Sequence, residues 1–199
     1  NQVTSSPLPS AADLSRLRLG TAPDSWGVWF PDDPNQVPWS QFLDEVVRAG
    51  YRWIELGPYG YLPTDPEQLR DELGWRGISL SGGAVFAGLH RGADALDQAL
   101  VDCQREARLI TALGAQYLVM LPEGYTDLDG KLTAPRDLEP HQWADLTAGM
   151  STLARALFEE SGVKLVFHPH VDSHVDTQER TERFLQDTDP AYVSLCLDT

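Results

Sequence analysis

The chain has 199 residues, 42% of them hydrophobic, with 30 acidic against 15 basic side chains and a net charge of −15. That length allows one sizeable core, and that composition belongs to a globular chain, not a disordered one. The negative field repels phosphate backbones and anionic membranes, so it disfavours nucleic acid, phosphorylated substrates and lipid surfaces and suits a neutral or cationic small molecule or a bound cation.

Residues 1–16, "NQVTSSPLPSAADLSR", are polar and carry Ser and Pro, and they read as a loose tail. From Leu17 onward a strand–helix pattern repeats. "LRLGTAPDSWG" reads as a strand running into a Gly/Pro/Asp loop. "PWSQFLDEVVRAG" has helical spacing at Trp39, Phe42, Leu43 and Val46, with Gly50 suited to end it. "YRWIELG" is a short buried strand ending at Glu55. "TDPEQLRDELGWRG" opens a second helix with Asp65 as N-cap, Pro66 at N1 and Gln68 at N3. "ISLSGG" is a third strand. "ADALDQALVDCQREARLITALG" aligns Leu96, Leu100, Cys103, Ala107 and Ile110 on one helical face, and "AQYLVMLPEG" is a fourth strand. "EPHQWADLTAGMSTLARALFEESG" aligns Trp143, Leu146, Met150, Leu153 and Leu157. "VKLVFHP" is a fifth strand, "DTQERTERFLQDTDP" a more polar fifth helix, and "YVSLCLDT" a sixth strand. Gly50, Gly77, Gly114 and Gly162 close four of the helices.

Strands that are apolar almost throughout, alternating with amphipathic helices, predict a parallel sheet covered by helices. Six such strands without a GxGxxG turn favour a (β/α)₈ TIM barrel over a dinucleotide-binding sheet. An eight-fold barrel needs about 250 residues, so residues 17–199 are expected to be an incomplete barrel domain, truncated after strand six. The start at Asn1 without Met points to a trimmed N-terminus. No apolar run approaches the roughly 20 residues of a bilayer span, and no secretory leader is visible. Cys103 and Cys196 read as two reduced thiols of a cytoplasmic protein.

In such barrels the chemistry lies at the C-terminal ends of the strands. That filter selects Asp24, Ser25, Trp26 and Trp29 after strand one, and Glu55, Tyr59 and Tyr61 after strand two. Gly82-Gly83 and then His90 follow strand three, and Glu123 and Tyr125 follow strand four. His168, His170, Asp172 and His174 follow strand five, and Asp198 follows strand six. His168 and Asp198 hold equivalent places on adjacent strands, which lie about 4.8 Å apart in a parallel sheet. An imidazole and a carboxylate there can converge on Mn²⁺, Mg²⁺, Co²⁺ or Zn²⁺; the alternative is a hydrogen-bonded core histidine and a loop-capping aspartate. Trp26 and Trp29 either stack on a sugar ring or plug the barrel mouth. His174 is expected to be a solvated loop residue and His141 a surface one.

The stretches "LGTAPDSWGVW", "WIELGPYGYLPTDPEQLRDEL", "VFHPHVDSHVDT" and "LCLDT" resemble the sugar isomerase/epimerase superfamily with a xylose-isomerase-like TIM barrel, most of all its inosose dehydratase-like proteins. The resemblance runs from Leu17 to Thr199. In that superfamily a divalent metal is held by residues from strands five to eight, and the strand-six Asp falls on Asp198. The strand-five position falls on His168, where epimerases carry Glu, a departure that favours the dehydratase-like group. What the resemblance implies is a metal-dependent lyase that eliminates water from a keto-inositol through a metal-stabilised enolate. Glu55, Glu123 and His170 are the acid/base candidates, and Trp26, Trp29 and Tyr59 the substrate-binding ones. The substrate is a small sugar or cyclitol, and a homo-oligomer is open. The alternatives are a ketose isomerase or epimerase of the same fold and a non-catalytic, truncated barrel that needs a partner to close it. An apurinic-site endonuclease is disfavoured by the charge of −15.

Overall fold

The structure, a computed structural model, describes residues 17–198, so the tail read over 1–16 lies outside the described residues. Six strands form one sheet in the order β1 to β6, every neighbouring pair parallel. They are β1 Gly20–Thr21, β2 Trp53–Glu55, β3 Ser79–Ala87, β4 Tyr117–Pro122, β5 Lys164–Phe167 and β6 Ser194–Leu195. Five α-helices alternate with them: α1 Trp39–Ala49, α2 Pro66–Gly74, α3 Ala93–Ala112, α4 Pro140–Ser161 and α5 Gln178–Asp187. Among the described residues β1 and β6 do not pair, so the sheet is a partial (β/α)₈ barrel. No helix among them is long and apolar enough to cross a membrane.

The helices form where the periodicity places them. Phe42, Leu43 and Val46 of α1 are buried, as are Cys103, Ala107 and Ile110 of α3 and all five aligned residues of α4. These faces pack on Ile54, Leu80, Leu118, Leu165 and Phe167 of the sheet to make one core. Phe167 stacks on Phe184 of α5 at 4.1 Å between ring centroids. The caps are local chemistry. Asp65 Oδ1 accepts from the Gln68 N–H at 2.8 Å, and Glu139 with Gln142 closes a capping box on α4. α1 and α4 end against Gly50 and Gly162, whose positive φ values of 94° and 73° place them in the left-handed cap conformation. α2 and α3 stop earlier, at Gly74 and Ala112, so Gly77 and Gly114 follow the helix ends at a distance.

Strand three differs from its expected span. It runs on through Gly82-Gly83 to Ala87, so the glycine pair sits inside the strand and not after it. The register between β2 and β3 shifts there: Ile54 faces Leu80 but Glu55 faces Gly82, which leaves Ser81 as the extra residue. The Ser81 hydroxyl donates to the Ile54 carbonyl at 2.9 Å. Strands one and six are two residues each, and among the described residues each pairs on one side only.

Candidate active site

The strand tips surround a cavity of about 380 Å³. Asp24 and Trp29 reach it from the β1–α1 segment, Glu55 from the end of β2, His168 and His170 from beyond β5, and Cys196 and Asp198 from beyond β6. Apolar side chains, among them Val28, Ala84 and Leu121, fill the wall between them. The His168 amide donates to the Met120 carbonyl at 3.0 Å and the Cys196 amide to the Phe167 carbonyl at 2.8 Å, so ladder bonds continue past the strands and fix both approaches.

His168 Nε2 lies 3.6 Å from Asp198 Oδ2. Burial and the neighbouring His170 lower the His168 imidazole's proton affinity, against the pull of Asp198. A neutral imidazole beside a mostly exposed carboxylate fits a divalent cation, whose bonds to N and O run to about 2.0–2.2 Å. Among the described residues these two donors are not joined by a third, since no group of three or more His, Cys, Asp or Glu is arranged around one ion.

Glu55 lines the same cavity. Among the described residues, no hydrogen bond or ion pair reaches its carboxyl. Burial, reinforced by the charge of Asp24, pushes it up to about 7. His170 Nδ1 bonds the Val171 carbonyl at 2.7 Å, which makes Nδ1 the donor and leaves Nε2 outside that bond.

The other candidates separate. Glu123 lines an adjoining cavity of about 540 Å³, which shares Phe86, Leu121 and His170 with the first. Its Oε2 is 3.2 Å from Arg91 Nε, and a side chain at Gly88 would collide with both groups. Trp29 is exposed on the cavity rim, whereas Trp26 turns inward, donating to Glu45 at 2.8 Å and meeting the Phe42 ring edge-on at 5.0 Å. Tyr59 packs against the core under the Arg105 guanidinium, 4.4 Å from its ring centroid, and lines neither cavity. His141 is exposed on α4.

His174 corrects an expectation. It is not solvated but 5% exposed, its Nδ1 bonded to the Arg136 carbonyl at 3.0 Å and its Nε2 buried without a partner among the described residues. Its ring meets that of His90 at 4.7 Å and that of Tyr125 at 5.8 Å, so the loops after β3, β4 and β5 converge on it. Sequence reasoning also passed over Glu106. It lies on the buried face of α3 at 1% exposure and accepts from the Ala84 amide at 2.9 Å. The one signal for it was a carboxylate one residue from Ala107, inside the apolar stripe.

A family model described as xylose isomerase-like TIM barrel matches residues 43–199. The inosose dehydratase of Salmonella typhimurium is 26% identical over 189 residues, covering 92% of this chain and 61% of that protein. The chain thus spans about three fifths of the length of the curated relatives it matches. Among solved structures, the probable 3-DHS dehydratase AsbF of Bacillus anthracis superposes with a TM-score of 0.69 at 12% identity, over 92% of this chain and 63% of that one. A xylose isomerase-like TIM barrel protein of Mycobacterium smegmatis, in complex with magnesium, superposes with a TM-score of 0.68 at 16% identity, over 91% and 64%.

Proposed function

The chain belongs to the xylose isomerase-like TIM barrel family, and on that footing we propose that it is a metal-dependent lyase of the inosose dehydratase type, eliminating water from a keto-inositol. The observation that carries this reading is the pairing of His168 and Asp198 at 3.6 Å in the cavity that the Glu55 carboxyl also lines. The inosose dehydratase names of the relatives and the magnesium of the Mycobacterium smegmatis protein support the same chemistry.

His168 and Asp198 would hold the cation, which would supply Lewis-acid polarisation of the substrate ketone. His170 Nε2 accepts the proton α to that ketone, because its Nδ1–H is committed to the Val171 carbonyl. Glu55, held protonated near neutrality, donates its proton to the departing β-hydroxyl, which leaves as water. Trp29 offers its indole face to the ring at the rim. Glu123 and Arg91 face the adjoining cavity and orient the far hydroxyls. Strand-tip imidazole in the place of a carboxylate disfavours an epimerase, which needs two bases on opposite faces of its substrate.

Incubation with a panel of inososes and ketoses in the presence of Mn²⁺ or Co²⁺ should give a product lighter by one water from an inosose; an epimer of unchanged mass would instead favour the isomerase reading. Asp198→Ala should lose both bound metal and activity while unfolding at an unchanged midpoint. Elemental analysis that finds the metal retained in this variant would remove Asp198 from the site.

A further inference from the structure

Asp24 has no role in the reaction as drawn above, yet the fold places it on the same cavity wall as the acid. It stands in the 3₁₀ turn Pro23–Trp26 that follows β1. Gly57, two residues beyond Glu55, receives that turn: a Cβ there would lie 2.5 Å from Pro23 Cγ, and its φ of +70° is one that a glycine adopts readily. The contact clamps the turn after β1 to the turn after β2. Asp24 and Glu55 therefore line the same 380 Å³ cavity, and they also share the wall of a second cavity of about 500 Å³.

The surroundings of Glu55 are short of positive charge. Arg18 shares the second cavity's wall, but its guanidinium lies over the Trp53 ring at 4.6 Å. Tyr117 faces it from β4, and the buried Glu106 from α3 behind β3. His168 and His170 approach across the cavity, with Cys196 and Asp198 beside them. Nearest in effect is Asp24, whose side chain is exposed while Glu55 is half-buried.

We propose that Asp24 is a positioning residue for the reaction: held on the cavity wall it shares with Glu55 by the Pro23–Gly57 contact, its negative charge adds to the effect of burial in keeping the acid loaded when substrate arrives. The inference rests on the dehydratase reading for its consequence in catalysis, but not for the coupling itself. It also answers a difficulty in that reading. A cation on His168 and Asp198 favours the ionised form of every carboxyl nearby, and Asp24 opposes that pull on Glu55.

The test has two arms. In the metal-free protein, the ¹³C carboxyl resonance of Glu55, identified by its disappearance in Glu55→Gln, should titrate near 7. In Asp24→Asn the midpoint should fall, yet stay above the ordinary 4.5, because burial is the larger cause. Asp24→Glu should restore it, and the difference should shrink as salt screens the exposed charge. With an inosose and Mn²⁺, the alkaline limb of the kcat/KM profile should move to lower pH in Asp24→Asn and return in Asp24→Glu. Asp24 is exposed, so the substitutions leave the core intact. A Glu55 midpoint identical in parent and Asp24→Asn overturns the inference. A midpoint that moves in a protein that dehydrates no inosose upholds the coupling and removes the dehydratase reading instead.

Discussion

Glu106 shows how one side chain can set the shape of a strand. β2 ends at Glu55, so the Ala84 amide of β3 lies beyond the reach of that neighbour, and the Glu106 carboxyl supplies the acceptor. Gly83 leaves the room: a Cβ there would lie 2.2 Å from Glu106 Oε1. Gly83→Ala should therefore destabilise the protein by about 1–3 kcal/mol in urea unfolding, and the loss should shrink in combination with Glu106→Ala. Burial pushes the Glu106 carboxyl up to about 8 against the opposing Ala84 hydrogen bond, and the unfolded chain returns it to about 4.5. Between those values the folded state binds the extra proton, so this group's contribution to stability declines as pH rises from about 4.5 to 8. Glu106→Gln keeps an acceptor and has no charge to bury. It should match the parent at pH 5 and exceed it at pH 9, and equal midpoints at both would show that the carboxyl is neutral throughout. None of this was legible beforehand, because a carboxylate within an apolar stripe looks like ordinary helix composition until its partner, an amide 22 residues earlier in sequence, comes into contact.

At the scale of elements, the helices and their caps were legible because they depend on spacing and on neighbours a few residues apart. Asp65 caps α2 for that reason; the Glu139–Gln142 box on α4 is as local but was not singled out. The Gly82-Gly83 pair misled because glycines usually break strands, whereas here they admit the Tyr117 carbonyl and Glu106. The strand tips picked out His168, Asp198, Glu55 and Trp29, which share a cavity, while Trp26 and Tyr59 turned to the core for packing that spacing does not reveal. The mouth loops were the least legible, since their order comes from long-range contacts. His174 ties the loop after β5 to the Arg136 carbonyl and to His90. Burial foremost, then the adjacent His174, holds the His90 imidazole below its ordinary 6.5. Protonation thus opposes the fold, and this support is lost as pH falls below 6.5 toward the folded value. Relative to the intrinsic amide rate at each pH, protection in segments 88–92, 124–138 and 170–176 should fall between pH 7.5 and 5.5, and His90→Leu should flatten that response. An equal loss of protection in α4 would mean global loosening and not release at the mouth.

For the whole molecule the decisive quantity is the two-to-one excess of acidic over basic side chains. Several arginines are already committed to carboxylates: Arg76 to Asp44 and Glu72, Arg155 to Asp189, Arg136 and Arg180 to Asp176. The surplus carboxylates repel one another over distances that salt controls, since the Debye length falls from about 30 Å at 0.01 M to about 8 Å at 0.15 M. Contact pairs near 3 Å lie well inside either length and lose less than the long-range repulsion does. Raising NaCl across that range at pH 7 should therefore raise the thermal midpoint, and a fall would show that the ion pairs outweigh the repulsion. The same field argues that duplex DNA added at low salt, where attraction to any basic groove is strongest, should neither co-migrate with the protein nor shift its midpoint. A salt-sensitive complex would expose a basic surface that the sequence total conceals, and it would reopen the nucleic-acid readings of this fold that the charge disfavours.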